Sequence, residues 1–105
     1  MGKQVYTTSG EARFVCDTPD VRPVAASVTA VELMPMNPDR VHGQIFNDST
    51  SVLYVRWGTG ATSTVYTTKV APQGFYELPR VFAYVGPVSG VWATANGSAK
   101  ITEAT

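Results

Sequence analysis

Cysteine and charge are both scarce in this chain of 105 residues. The single cysteine, Cys16, excludes an intrachain disulfide and a metal cage of several thiolates, so we expect it to be a small buried hydrophobic residue. Charged residues make up 15% of the chain, against about 25% in average globular proteins. Eight acids balance eight bases. With no excess of basic charge, we expect no nucleic-acid partner.

Long apolar runs are also missing. No segment approaches the roughly 18 consecutive apolar residues that a membrane-spanning helix needs. The first residues, MGKQVYTTSG, lack the apolar region of a secretory signal peptide. These two absences predict a protein that is made in the cytoplasm and does not associate with a membrane.

β-branched residues are abundant where leucine is rare. The chain has 15 valines and 13 threonines but only three leucines. β-branched side chains are stiff at χ1 and pack well on a pleated surface, so the composition favours strands. No window keeps apolar residues at helical spacing beyond about two turns. The sequence predicts an all-β protein.

Residues 41 to 103 form a series of short alternating runs, each bounded by glycine, proline or asparagine. The runs are VHGQIFN, VLYVRW, VYTTKV, GFYEL and VSGVWATANGSAKITE. In the last run, Asn96-Gly97 predicts a tight hairpin turn. Adding SVTAVELM (residues 27 to 34) gives seven or eight strands at a spacing of about 8–12 residues. We predict an antiparallel β-sandwich of jelly-roll type; an immunoglobulin-like sandwich is the alternative, disfavoured by the lack of paired cysteines.

Residues 1 to 26 lack sustained alternation, and we interpret them as an N-terminal arm or edge segment, followed by a sandwich domain at residues 27 to 105. Phe14, Val15 and Val21 stand among polar residues of this segment. Such a segment can become ordered on a neighbouring chain. These three side chains are therefore candidate interaction residues.

Groups for catalysis are sparse. The only histidine, His42, has no partner at metal-ligand spacing, and no serine stands in a G-x-S-x-G elbow. The segment GTGATST lacks the lysine of a phosphate-binding loop. We expect Glu32, Glu77 and Glu103 to face solvent or a neighbouring chain. The sequence predicts no catalytic residue, no metal, no cofactor and no enzymatic activity.

Aromatic residues are the remaining candidates for function. Trp57 and Phe75 are predicted to lie in the core. For five other residues the core and an interaction surface are equally good interpretations, because aromatic residues and arginine are enriched at interfaces. These are Tyr54 and Arg56, which share the outer face of one strand, and Arg80, Phe82 and Tyr84, which lie between two prolines.

Four motifs follow one another between Asn37 and Glu103. They are N-x-D-R (37 to 40), IFNDSTSVLYVRWGTGAT (45 to 62), VYTTKVAPQGFYELP (65 to 79) and GPVSGVWATANGSAKITE (86 to 103). Over this stretch the chain resembles a class of small bacteriophage structural proteins. The resemblance covers about two-thirds of the chain and leaves out the first 26 residues.

The resemblance implies a virion component made in the host cytoplasm. Most simply it is a protein that decorates or cements the head, with the major capsid protein or other virion proteins as partners. It acts in symmetric copies, and a homotrimer is compatible with this. A tail or neck accessory protein with a receptor- or glycan-binding role is the alternative. The resemblance carries over no catalytic residue.

Overall fold

The computed structural model describes residues 3–6, 12–15, 19–79, 81 and 83–105, with only the backbone described for 3–6 and 12–15. Every regular element in this part of the chain is a β-strand, which confirms the all-β prediction. The ten strands found there are β1 (Lys3–Tyr6), β2 (Ala12–Val15), β3 (Pro19–Ala25), β4 (Val31–Met34), β5 (His42–Asp48), β6 (Leu53–Trp57), β7 (Thr68–Val70), β8 (Phe75–Glu77), β9 (Val88–Trp92) and β10 (Ser98–Ala104).

Strands β3 to β10 form two antiparallel sheets that pack against each other. Sheet I has the strand order β3-β10-β5-β8, and sheet II has the order β4-β9-β6-β7. Strands β1 and β2 pair antiparallel as a separate two-stranded sheet. The predicted β-sandwich of seven or eight strands is confirmed.

The strand pairs are nested, which is how a jelly roll is built. Strand β3 pairs with β10, β4 with β9, β5 with β8, and β6 with β7. The chain is therefore one long antiparallel ribbon. Strand β10 also pairs with β5, and β9 also pairs with β6, so the ribbon rolls into two sheets. The topology is the predicted jelly roll.

The core lies between the sheets and follows the alternation of the strands. Its buried residues are Leu33, Met34, Ile45, Leu53, Val55, Val70, Leu78, Val88, Trp92, Ala99 and Ile101. Each large aliphatic side chain buried there contributes about 1.5–3 kcal/mol to the free energy of unfolding. Gly90 leaves room for this packing, since a Cβ there would lie 2.7 Å from Leu33 Cδ1.

The two aromatic residues predicted for the core behave differently. Trp57 packs against the core at its edge, as predicted. Phe75 is 62% exposed, so the prediction for it is wrong. In the register of β8 with β5, Tyr76 opposes the buried Ile45, which places the neighbouring Phe75 on the outer face. A strand turns successive side chains to opposite faces, and three strand residues carry too little pattern to fix which face is buried.

The predicted hairpin at Asn96-Gly97 is wrong. Strand β9 belongs to sheet II and β10 to sheet I, so residues 93–97 pass from one sheet to the other. Gly97 does adopt a positive φ of 78°, and a Cβ on it would lie 2.4 Å from the carbonyl oxygen of Asp48. The dipeptide therefore encodes a turn. Which strands pair on either side of it depends on packing within each sheet and not on the turn itself.

Two strand boundaries also differ from prediction. The strand expected at residues 27 to 34 begins only at Val31, and the strand expected from Val65 begins only at Thr68. Residues 58–67 instead form a long connection over the outer face of sheet II, where Ala61 N donates a hydrogen bond to Ser89 Oγ (3.0 Å). This cover explains why all five residues of β9 are buried.

Strand β3 lies inside the predicted N-terminal segment, and the boundary at residue 26 stays a prediction. It pairs with β10 over its whole length, from Pro19 with Ala104 to Ala25 with Ser98. It thereby forms one edge of sheet I. Cys16, predicted to be buried, lies outside the described residues.

Prolines protect the free edge of β3. Just beyond the strand, Ala26 N donates to Gly97 O (3.0 Å). Antiparallel pairs alternate between bonded and non-bonded positions, so Pro23 and Pro19 occupy non-bonded positions relative to β10. An amide at either position would point away from the sheet, and proline has no N–H to offer there. The edge therefore presents few donors to another strand.

Candidate interaction surfaces

A buried arginine joins two connections at one end of the sandwich. Arg40, in the β4–β5 loop (35–41), is only 1% exposed. Its Nη1 donates hydrogen bonds to the carbonyl oxygens of Tyr84 (3.0 Å) and Gly86 (2.8 Å), and its Nη2 donates to that of Pro35. These bonds hold the β4–β5 loop against the β8–β9 connection. We call residues 35–41 together with residues 81 and 83–87 the loop platform.

Glu103, on β10, is the counter-ion of Arg40. Its Oε2 accepts hydrogen bonds from Arg40 Nε (2.7 Å) and Asn37 Nδ2 (3.2 Å), and its Oε1 accepts one from Arg22 Nη2 (3.1 Å). Burial alone raises the pKa of Glu103, but these hydrogen bonds and the charge of Arg40 outweigh burial and lower the pKa below its ordinary value of 4.5. Glu103 is 5% exposed and its carboxylate is bound by side chains of its own chain, so the prediction that it faces solvent or a neighbouring chain is wrong.

The loop platform presents exposed apolar side chains. Met36 is 69% exposed and Val81 is 90% exposed. Beside Met36, Asn37 N donates to Val85 O (2.8 Å), which ties the two parts of the platform together again. A contact surface whose backbone is already ordered loses less conformational entropy when a partner covers it. The platform is therefore suited to protein binding.

Tyr84, a member of the loop platform, packs against the sandwich. Its ring stacks on that of Trp57, with centroids 5.0 Å apart and an interplanar angle of 20°. Its hydroxyl donates to Pro87 O (2.8 Å), and Trp57 Nε1 donates to Tyr76 Oη (3.1 Å). This predicted interaction residue is thus half-buried and serves to pack the platform onto the sandwich.

A cleft crosses the outer face of sheet II. Tyr54 stands there opposite Val91 on β9 and Lys69 on β7. Its ring also lies 5.1 Å from that of Tyr66. Residues 60–63 form one wall and residues 28–30 the other, and the volume of the cleft is about 550 Å³. We call this space the Tyr54 cleft.

The outer face of sheet I carries two phenylalanine side chains. Phe75 is directly opposite Phe46 in the register of β8 and β5. Next to them, His42 Nε2 lies 3.7 Å from Glu77 Oε2. The predicted interaction residue Val21 is on this face and is 66% exposed.

The structure distributes the predicted interaction residues over several surfaces. Tyr54 and Arg56 share the outer face of sheet II, as predicted, and Arg56 Nη1 donates to Gly60 O (3.3 Å). Val21 is on the opposite sheet, and Tyr84 belongs to the platform. Four remain predictions: Phe14 and Val15, for which only the backbone of β2 is described, and Arg80 and Phe82, which lie outside the described residues. The structure therefore does not bring the eight residues together.

Sequence reasoning missed the buried polar groups Arg40, Glu103 and Asn47. Asn47 is fully buried; its Nδ2 donates to Ser51 O (2.8 Å) and Val70 O (3.0 Å), and its Oδ1 accepts from Ser49 Oγ (2.7 Å). Such groups hold loops against the sandwich, and none of their buried polar side-chain atoms lacks a hydrogen-bond partner. Asn37 and Arg40 belong to the N-x-D-R motif, but the partner of Arg40 is 63 residues away in sequence.

Potential metal ligands are scattered in the part of the chain that the structure describes. It contains no group of three or more histidine, cysteine, aspartate or glutamate residues placed to hold a metal ion. Among the same residues, no helix is long and apolar enough to cross a membrane. The described surfaces are thus characterised by shape and by apolar side chains.

Comparisons of the chain with protein-family models, with curated proteins and with solved structures found no match.

Proposed function

We propose that this chain is a non-enzymatic structural protein of a bacteriophage particle that decorates or cements the assembled head. Its partners are the major capsid protein and further copies of itself, arranged symmetrically. It acts by binding, and by binding only the assembled shell it stabilises that shell through mass action. The motifs between Asn37 and Glu103 support the assignment to a phage particle.

The loop platform is the observation that carries the proposal. A buried Arg40–Glu103 pair orders two connections whose apolar side chains, Met36 and Val81, stay exposed. Met36 follows Pro35 and precedes Asn37, both anchored by hydrogen bonds, so an exposed apolar side chain stands there on an ordered loop, which suits a binding surface. Strand β3 begins at this same end, since Pro19 pairs with Ala104.

Electron cryo-microscopy of particles from the phage that encodes the chain tests the proposal. We expect density for the sandwich at symmetric positions on the head, with the loop platform toward the shell. Density only at the tail or neck would contradict head decoration and favour the accessory role. Absence of the chain from purified particles would contradict a virion role altogether.

A binding assay tests the platform itself. Particles that lack the chain are mixed with purified protein, and bound protein is measured after sedimentation. The double variant Met36→Glu/Val81→Glu should bind at least about tenfold more weakly, because covering one apolar side chain is worth about 1.5–3 kcal/mol. Phe75→Glu is the matched control, since Phe75 is similarly exposed at 62% but lies on sheet I. Equal loss in both variants would contradict docking through the platform.

A further inference from the structure

We propose that the Tyr54 cleft binds a neutral oligosaccharide. This site is separate from the loop platform and does not depend on the proposed role in head decoration. The inference comes from the shape of the cleft, the chemistry of its lining and the free hydroxyl groups within it.

The cleft is preformed. The wall at residues 60–63 is fixed by Ala61 N, which donates to Ser89 Oγ (3.0 Å), and by Arg56 Nη1, which donates to Gly60 O (3.3 Å). In the opposite wall, Thr29 N donates to Ser27 Oγ (3.1 Å). Small-molecule sites are typically preformed clefts of about 300–1,000 Å³. At about 550 Å³ the Tyr54 cleft falls within this range.

The lining carries no charged side chain. It consists of valine, alanine, glycine, threonine and serine residues with Tyr54 and Trp92. Lys69 and Arg56 flank the cleft but are not part of its lining, so an anionic ligand such as a nucleotide, a sulfated sugar or a sialylated sugar would lose its hydration without a cationic partner within the lining. The lining is therefore matched to a ligand without charge.

Two hydroxyl groups in the cleft are available to a ligand. Within the described residues, Tyr54 Oη and Ser63 Oγ make no hydrogen bond, although both residues line the cleft. A hydroxyl both donates and accepts, as the hydroxyls of a sugar do. The Tyr54 ring adds an apolar face for the C–H side of a sugar ring, since tyrosine combines an apolar body with a polar tip. These features together specify a polyhydroxylated, uncharged ligand.

A peptide is a poorer fit. One common way to bind an extended peptide is to add it as a strand to a free sheet edge. The walls at 28–30 and 60–63 contain no strand, so they offer no ladder of backbone groups. The oligosaccharide is accordingly the occupant that we propose.

Titration of the ¹⁵N-labelled protein, followed by amide chemical shifts, tests the proposal. The probes are neutral oligomers of glucose, mannose, galactose and N-acetylglucosamine, each added to millimolar concentration. At least one should shift the amides of residues 28–30 and 60–63. If none of the probes shifts these amides, or if only a peptide or an anionic sugar does, the proposal is overturned.

Three variants identify the groups responsible. Tyr54→Ala should weaken binding about tenfold or more, as expected for loss of an aromatic contact. Tyr54→Phe keeps the ring and should lose only the part of the affinity that depends on the hydroxyl. Phe75→Ala, on the opposite sheet, should bind like the parent protein. A dispersed spectrum for each variant establishes that it is folded, and unchanged affinity in folded Tyr54→Ala would also overturn the proposal.

Discussion

Arg40 shows how one residue can organise a whole end of this protein. Its guanidinium contacts the carboxylate of Glu103 and three backbone carbonyl oxygens. A charge buried this deeply is stable only when its hydrogen-bonding capacity is used, and here the partners come from β10 and from both parts of the loop platform. The pair thus stabilises a particular arrangement of loops more than it adds to the core.

Removing Arg40 should be strongly destabilising. We expect Arg40→Ala to lower the free energy of unfolding by about 3–5 kcal/mol, because Glu103 would then be buried without its main partner. Urea denaturation followed by tryptophan fluorescence measures this. Lys100→Ala is the control: it removes an exposed ion pair with Asp48 (3.8 Å) and should change stability by less than about 1 kcal/mol. Similar values for the two variants would contradict the role given to Arg40.

Stability should depend on pH through Glu103. The folded pKa of this group is below 4.5, the value we take for the unfolded chain, so the unfolded chain binds its proton first as the pH falls. The stabilisation from Glu103 is therefore fully present above pH 4.5 and is lost as the pH falls through the folded pKa. Melting temperatures measured from neutral to acidic pH should decline less steeply in Glu103→Gln than in the parent. If the melting temperatures of the two proteins decline equally with falling pH, other carboxyl groups control the loss of stability in acid.

At the scale of elements, β3 has two properties that alternation does not reveal. It is an edge strand of sheet I, and two of its outward positions are prolines. Arg22 of this strand also reaches Glu103, so β3 takes part in the network that orders the platform. The strand therefore belongs to the sandwich physically, although it lies on the arm side of the predicted boundary.

Replacing the two prolines on this edge should make the protein associate with further copies of itself. The variant Pro19→Val/Pro23→Val gains two outward N–H groups on an exposed strand, which is a template for pairing with another chain. Light scattering after size-exclusion chromatography should show dimers or larger species that increase with concentration. Ala25→Val is the control, because it adds a β-branched side chain to the same strand without adding a donor. A monomeric proline variant would contradict the protective role.

Two N-terminal truncations should have different effects on folding, because only the longer one removes β3. Deleting residues 1 to 18 leaves β3 intact, so we expect a cooperative melting transition close to that of the full chain. Deleting residues 1 to 26 removes the partner of one side of β10 and the Arg22 contact with Glu103. We expect that protein to be unfolded, which circular dichroism and thermal melting would show. A stable second truncation would contradict the assignment of β3 to the sandwich.

At the scale of the whole molecule, the nested pairing makes the fold non-local. Strand β3 pairs with β10 near the other end of the chain, and only β6 and β7 pair as sequence neighbours within the described sandwich. Loop-closure entropy must be overcome before such distant contacts contribute stability.

Folding should accordingly be slow for a domain of this size. We expect refolding over milliseconds to seconds or longer, the range typical of two-state all-β proteins with distant pairings. Stopped-flow fluorescence follows it through Trp92, which is buried in the core. Any phase of tens of seconds should be accelerated by a prolyl isomerase, because proline isomerisation has that time scale. Complete refolding in microseconds would contradict the nested topology.

The sequence by itself determined the class of fold, because valine and threonine content, period-two alternation and turn residues act locally. Tyr54 and Arg56 were placed correctly on the outer face of their strand for this reason. Only the tertiary structure decided which strands pair, that residues 93–97 cross between sheets, and that Arg40 meets Glu103 across 63 residues. The Tyr54 cleft likewise exists only because residues 58–67 fold over sheet II. Contacts between distant segments depend on the packing of both partners at once, which no local pattern specifies.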